Sequence, residues 1–353
     1  MEAGTAVKSG MVARAAGSRI AGVVSCVPPR IVDNEMFFDR FGDKANDVVK
    51  MTGIETRHWV ENGTTTSDLC ARAAEELFGG LGWERDTVDA LIFVSQTADY
   101  RLPATACLLQ NRLRLRPGVI AIDVSLGCSG YVHAIWLGSM MIQTGAAKRV
   151  LLAVGDASSV LSDPDDRSTV MLFGDAGTAT AMEEADDGSN DMTFILGADG
   201  SGGEDLIVPK GGARDNSDHP KFADLPPNTL YMNGAEVFTF TLKAVPKLIT
   251  ETVAASGVAL DDHDLFLLHQ ANRFMITHLA KKAKLPSGKV PVNIDRFGNT
   301  SSATLPLLMT DLAADDLKAR RCRVGLFGFG VGWSWGGVSM NIGPLKYAET
   351  ITL

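Results

Sequence analysis

Three apolar segments in the first half of the chain return in the second half, in the same order and at nearly the same spacing. Ala90-Leu-Ile-Phe-Val-Ser95, preceded by Asp89, corresponds to Asp264-Leu-Phe-Leu-Leu-His269. Ile122-Asp-Val-Ser125 corresponds to Val292-Asn-Ile-Asp295, and Arg149-Val-Leu-Leu-Ala-Val154 to Arg323-Val-Gly-Leu-Phe-Gly328. The offset stays between about 170 and 175 positions, which signals two copies of one supersecondary plan. Continuous apolar runs of this length read as strands buried on both faces. Stretches of helical periodicity, Gly130 to Thr144 and Glu236 to Ser256, lie between such segments. Strands alternating with helices predict a mostly parallel α/β layered fold.

The division falls after Met182, giving halves at 1–182 and 183–353. From Glu183 to Asn228 the chain is rich in Asp, Gly, Pro and Asn, as in Asp186-Asp-Gly-Ser-Asn190 and Lys210-Gly-Gly-Ala-Arg214, and reads as loop. A short linker between matched halves predicts that they pack tightly and share a site at their seam.

With 353 residues, 45% hydrophobic and 21% charged, the chain can bury a large core, which excludes disordered and fibrous classes. The formal net charge of −9 argues against nucleic acid as a partner, because neutralising phosphates needs an excess of Lys and Arg. No run approaches the roughly 18 apolar residues of a membrane helix, and Ile20 to Val27 is short. A cytoplasmic protein without a membrane span is expected. The first ten residues or so, small and polar, read as a loose terminus and not as a signal peptide. The five cysteines show no C-x-x-C spacing, so neither a zinc site nor a disulfide framework is expected. Cys26, Cys70, Cys107 and Cys322 sit in helical or strand runs and read as packing.

Cys128 is different. In Asp123-Val-Ser-Leu-Gly-Cys-Ser-Gly130 an apolar strand ends, glycines flank the thiol, and an amphipathic stretch follows. A sulfur at a helix N-terminus meets unpaired N–H groups and a positive dipole end, which favour the thiolate. His269 closes the buried strand of the second half, and strand ends of this kind line crevices. Asn299, in Phe297-Gly-Asn-Thr-Ser-Ser-Ala-Thr-Leu-Pro306, lies across from Cys128 if the duplication holds. Each has a plainer reading: a small buried hydrophobe, a satisfied strand-end group, and an N-cap. Near the end, Phe327-Gly-Phe-Gly-Val-Gly-Trp-Ser-Trp-Gly-Gly337 reads as a glycine-dense turn between two apolar strands. It does not fit G-x-G-x-x-G and no helix follows, so a dinucleotide fingerprint is unsupported. A backbone N–H exposed there could serve an oxyanion hole.

Taken together these segments resemble the β-ketoacyl-acyl carrier protein synthase III family of the thiolase superfamily. The likeness covers nearly the whole chain and extends to Thr52-Gly-Ile54, Pro103-Ala-Thr-Ala-Cys107, Phe173-Gly-Asp-Ala-Gly177 and Met232-Asn-Gly-Ala-Glu-Val-Phe238. It implies a thiolase-like duplicated five-layer α/β/α/β/α fold, a homodimer, and a transferase of fatty acid biosynthesis that needs no metal or redox cofactor. In the implied cycle, Cys128 takes an acyl group from acyl-CoA or an acyl-ACP. A malonyl thioester on acyl carrier protein then loses carbon dioxide, and its enolate attacks the acyl-cysteine.

By the same resemblance, His269 and Asn299 donate hydrogen bonds to the malonyl thioester oxygen. The N–H groups of Cys128 and Val331 form an oxyanion hole, Phe329 stands beside the cysteine, and Leu102 lies where a partner subunit closes the acyl pocket. Arg167 matches a coenzyme A contact, whereas Asp47 and Met51 replace the Trp and Arg that hold the adenine in fatty-acid-initiating members. Arg273, Lys281, Lys282, Lys284 and Lys289 form a basic cluster suited to an acidic carrier protein, or simply a solvated helix face. Three other readings compete: acyl transfer to an alcohol or amine without decarboxylation, a cysteine hydrolase, and an inactive scaffold. The hydrolase fold would place its histidine after the last strand, and a scaffold would have lost a member of the triad.

Overall fold

Ala90–Val94 is apolar throughout and buried throughout, so its strand must be flanked on both edges and covered on both faces. It pairs in parallel with Ile120–Val124 on one side and Arg149–Ala157 on the other. These belong to a six-stranded sheet of order Tyr347–Thr352, Ser18–Val27, Asp175–Glu184, Arg149–Ala157, Ala90–Val94, Ile120–Val124. A five-stranded sheet repeats the plan in the order Met11–Ala15, Met192–Ala198, Ser334–Ile342, Cys322–Gly330, Leu265–Leu268. The structure, a computed structural model, describes residues 9–185, 191–214 and 216–353. The expected loop Asp186 to Asn190 and most of the expected loose terminus lie outside the described residues.

Two helices fill the space between the sheets. Gly130–Gln143 packs on strands of both sheets, and so does Thr304–Asp311. Their apolar side chains, including Tyr131, Ile135, Leu305 and Leu308, join the inner faces of the sheets in one core. Each such fully buried side chain contributes roughly 1.5 to 3 kcal/mol relative to exposure. Thr66–Leu81 covers the outer face of the first sheet and Gly234–Ser256 that of the second. The layers therefore run α/β/α/β/α.

The terminal strands cross over. Met11–Ala15 pairs with Met192–Ala198 in the second sheet, and Tyr347–Thr352 pairs with Ser18–Val27 in the first. Each half thus lends an edge strand to the other sheet.

Three expectations are corrected. The region 183–228 is not loop throughout, because Met192–Ala198 is a strand, buried over its first four residues, that pairs with both neighbours. Val292-Asn-Ile-Asp295 is not a strand: Pro291 has no N–H to give a ladder, the Asn293 N–H donates to the Gln270 side chain at 3.2 Å, and a short helix, Ile294–Phe297, follows. The second sheet is one strand narrower for this reason. Cys107, read as packing, is exposed on helix Thr105–Arg112.

Candidate active site

In both halves the chain leaves the central strand with a polar residue, Ser95 after Ala90–Val94 and His269 after Leu265–Leu268. Such C-terminal strand ends face the crevice between the halves. A cavity of about 380 Å³ opens there, lined among others by Cys128, Asp156, His269, Asn299, Phe329 and Val331. The thiol, imidazole and carboxamide predicted to work together therefore share one cavity.

Cys128 is 8% exposed. Helix Gly130–Gln143 starts two positions later, with Ser129 as its N-cap. Burial pushes the Cys128 thiol up to about 11, and the negative Asp156 nearby adds to the rise. The Ser301 side chain and the N–H groups of Val331 and of Cys128 itself pull in the opposite direction. Lost solvation therefore opposes the thiolate that the helix start favours.

The glycine-dense segment does form a turn between two strands, Cys322–Gly330 and Ser334–Ile342. A Cβ on Gly330 would lie 2.9 Å from both Cβ and Sγ of Cys128, so glycine is what lets the turn reach the sulfur. Ser334 holds the turn in place: its hydroxyl donates to the Val331 carbonyl at 2.8 Å and lies 2.7 Å from the Ser129 hydroxyl. Gly330→Ala is expected to fold but to slow acyl loading about 10²-fold by displacing the thiol or the turn. Stopped-flow loading with an acyl thioester checks this; a parent-like rate would contradict it.

Asn299 sits at the end of a short bridge to Phe173, and its side-chain oxygen accepts the Ser301 N–H at 2.9 Å. With that oxygen occupied, the NH₂ group is left for the cavity. Helix Thr304–Asp311 has Ala303 as its N-cap, and the Asn299 side chain instead holds the first N–H of the single turn Ser301–Ala303 that precedes it. His269 is 2% exposed, and burial holds its pKa down at about 3, so the ring is neutral at neutral pH. Its Nδ1 lies 2.7 Å from the Thr304 hydroxyl, and its ring meets Phe329 edge-on at 5.4 Å. The Thr304 hydroxyl, which donates to the Ser301 carbonyl at 3.0 Å, orients the ring and leaves Nε2 for the cavity.

The remaining predicted residues lie away from this centre. Arg167 is exposed on the short helix Arg167–Val170, and Leu102 is 82% exposed; neither lines the cavity of its own chain. Arg273 opens helix Arg273–Lys282 beside the lining residues Asn272 and Met275, and pairs with Asp295 at 3.7 Å. Lys281 and Lys282 end that helix and Lys284 follows it, all exposed, with Lys282 donating to the Leu242 carbonyl. Lys289 is removed from the docking cluster, since its ammonium donates to the carbonyls of Asp261 and His263 at 2.7 Å each.

Sequence comparison fits this geometry. Residues 122–200 match the family described as 3-Oxoacyl-[acyl-carrier-protein (ACP)] synthase III, and residues 253–342 its C-terminal counterpart. The Beta-ketoacyl-[acyl-carrier-protein] synthase III 2 of Streptomyces coelicolor is 35% identical over 92% of this chain and 94% of its own. The chain belongs to the 3-oxoacyl-[acyl-carrier-protein] synthase III family.

Other synthase III relatives agree. The Koribacter versatilis enzyme is 32% identical over 86% of this chain and 91% of its own. The crystal structure of a 3-oxoacyl-(acyl-carrier protein) synthase from Burkholderia xenovorans LB400 superposes with a TM-score of 0.95 at 52% identity, covering 98% of this chain and 99% of that one. As a synthase III the chain has the thiolase-like fold and is an acyltransferase of the condensing type. The hydrolase alternative fails in the fold itself, because His269 precedes the strands Cys322–Gly330 and Ser334–Ile342.

Four groups at this site escaped the sequence reading: Asp156, Ser301, Ser302 and Thr304. A signal existed for Asp156, a carboxylate at the end of an apolar strand. The other three lie in the segment after Asn299 and could be placed only by knowing which half faces which.

Proposed function

We propose that this chain takes an acyl group from acyl-CoA onto Cys128 and condenses it with malonyl-ACP to give a 3-oxoacyl-ACP. The observation that carries the reading is the convergence of Cys128, His269 and Asn299 on one cavity, with the amide and the ring each held by a neighbour that leaves the Asn299 NH₂ and the His269 Nε2 for the cavity. Loss of carbon dioxide from the malonyl group leaves an enolate, whose developing oxyanion these two donors stabilise. The N–H groups of Cys128 and Val331 serve the carbonyl oxygen of the acyl-cysteine, and Phe329 borders the acyl chain. Decarboxylation supplies the carbanion and the thioester supplies the electrophile, so the reaction balances without a resident cofactor.

The rest of the reading concerns partners. Arg167, together with Asp47 and Met51 at the positions where fatty-acid-initiating members of the family carry the adenine clamp, suits a coenzyme A donor held loosely or an acyl-ACP donor. Arg273, Lys281, Lys282 and Lys284 suit an acidic carrier protein. Ile120–Val124 is the edge of the six-stranded sheet, and Tyr100 and Leu102 stand exposed nearby in sequence. An apolar, unpaired edge of this kind suits a homodimer in which each chain's Leu102 closes its partner's acyl pocket. Among the described residues no helix is long and apolar enough to cross a membrane, and the five free cysteines suit the reducing cytoplasm.

Incubation with acyl-CoA thioesters and malonyl-ACP should release carbon dioxide and yield 3-oxoacyl-ACP. Acyl transfer to an alcohol or amine with no carbon dioxide released would overturn this reading.

A further inference from the structure

Asn299 owes its place to a segment of the other half. Three successive carbonyls there, those of Met171, Leu172 and Phe173, are each taken by a donor from elsewhere in the chain. The middle one accepts the Asn299 N–H at 3.0 Å, and the Gly174 N–H donates in return to the Asn299 carbonyl at 3.1 Å. The outer two are taken from a single strand, Thr56–Trp59. Arg57 Nη2 donates to the Met171 carbonyl at 2.8 Å, and Trp59 Nε1 to the Phe173 carbonyl at 2.9 Å. Residues two apart on a strand share a face, so one face of this strand grips the segment on both sides of the Asn299 contact.

Arg57 is 1% exposed, and no carboxylate forms an ion pair with it among the described residues. Its guanidinium also donates to the Asn34 side-chain oxygen at 2.8 Å and to the Val32 carbonyl at 3.5 Å, and lies 5.1 Å from the centre of the Phe37 ring. Nε finds no partner among the described residues. Burial lowers the Arg57 pKa to about 10, with the charge of Asp33 acting against the fall, so the group is a cation at neutral pH. A buried cation held only by neutral groups, with one N–H unsatisfied, is costly, and stability alone favours an apolar side chain at such a position. What the charge supplies is a directional grip on the Met171 carbonyl, since hydrogen bonds from an ionised donor are roughly twice as strong as neutral ones. The stem adds to it. A Cβ placed on Gly174 or on Gly298 would lie 3.2 Å from the Arg57 Cβ, so the side chain packs against both chains of the bridge between Phe173 and Asn299.

We propose that Arg57 and Trp59 are positioning residues for Asn299. They fix the carbonyls of Met171 and Phe173, the Leu172 carbonyl and Gly174 N–H between and beside them fix the backbone of Asn299, and the Ser301 N–H fixes its side-chain oxygen. Together these contacts set where the Asn299 NH₂ group lies. Neither Arg57 nor Trp59 lines the cavity, whereas Leu172, Phe173 and Asn299 do. The two residues therefore act on the reaction through the segment they hold. The inference rests on the proposed donation of Asn299 to the malonyl oxygen. A donor that must meet a developing oxyanion within about 0.5 Å loses much of its effect when its support loosens.

Three variants test this. Arg57→Met keeps most of the stem and removes the charge, Arg57→Lys restores one charged donor, and Trp59→Phe removes the indole N–H. Each is loaded from acyl-CoA and then mixed with saturating malonyl-ACP in a single turnover, which reads the two steps apart. Arg57→Met should slow carbon dioxide release about 10- to 10²-fold while acyl loading of Cys128 changes less than about twofold. Arg57→Lys should recover part of the loss, and Trp59→Phe should slow release about three- to tenfold. In an Asn299→Ala background, Arg57→Met should cost less than about a further twofold, because residues that act through one group are not additive. The crystal structure of Arg57→Met should show Asn299 displaced by about 0.5 Å or more. Loading slowed as much as release, the full loss persisting without Asn299, or Asn299 unmoved in Arg57→Met would each overturn the inference. Trp59→Phe carries the same cycle if Arg57→Met does not fold. If Asn299→Ala releases carbon dioxide at the parent rate, the proposed role of Asn299 fails, while its displacement in Arg57→Met still decides whether Arg57 positions it.

Discussion

Cys128→Ala is expected to abolish acyl loading. Incubated with an acyl-CoA that labels the parent, the variant should gain no acyl mass, a loss of about 10³-fold or more. The other cysteines offer no substitute. Burial pushes the Cys26 thiol up to about 12 and Cys70 higher still, and neither of them, nor Cys322 or the exposed Cys107, lines the cavity. Alanine removes only the sulfur from a site whose neighbours are fixed by their own hydrogen bonds, so the variant should keep its fold. Acyl mass on another residue of the variant would refute the assignment.

His269→Ala and Asn299→Ala are expected to give the opposite pattern. Each removes a donor aimed at the malonyl oxygen and should slow decarboxylation about 10²- to 10³-fold, while loading of Cys128 falls much less. The double variant should lose less than the product of the single effects, because the two donors serve one oxyanion. Single-turnover experiments separate loading from carbon dioxide release. Release at the parent rate in both variants would show that these groups do not stabilise the enolate.

Much of the fold is legible in the sequence, because a doubly covered strand is filled mostly by apolar residues. Ala90–Val94, Arg149–Ala157, Leu265–Leu268 and Cys322–Gly330 announce themselves through burial alone. Repetition of that pattern then gave the duplication. Met192–Ala198 was lost in a stretch dominated by Asp, Gly and Pro, where flanking loop composition outweighed seven strand residues. Val292 to Asp295 failed in the other direction: the match to Ile122 was real in sequence, but Pro291 and the Gln270 side chain diverted the backbone groups that a ladder requires.

The site shows the same division. Cys128, His269 and Asn299 stood out because each occupies a strand end or a helix approach, positions defined by local pattern. What orients them is long-range. The Ser301 hydroxyl reaches Cys128 across 173 positions, and Ser302 reaches Asp156 across 146. No local pattern records such partners. For a related reason the helix N-terminus beside Cys128 is visible in sequence and the extent of its burial is not.

The most direct test is a chase. The acyl-enzyme formed with acyl-CoA is freed of excess donor, mixed with malonyl-ACP, and the peptide bearing Cys128 is weighed alongside the carrier protein. The account predicts that the acyl mass leaves Cys128 and reappears on the carrier protein as a 3-oxoacyl group, with one carbon dioxide released for each transfer. Acyl mass lost from Cys128 as free acid, or retained there while the malonyl group decarboxylates, would contradict it.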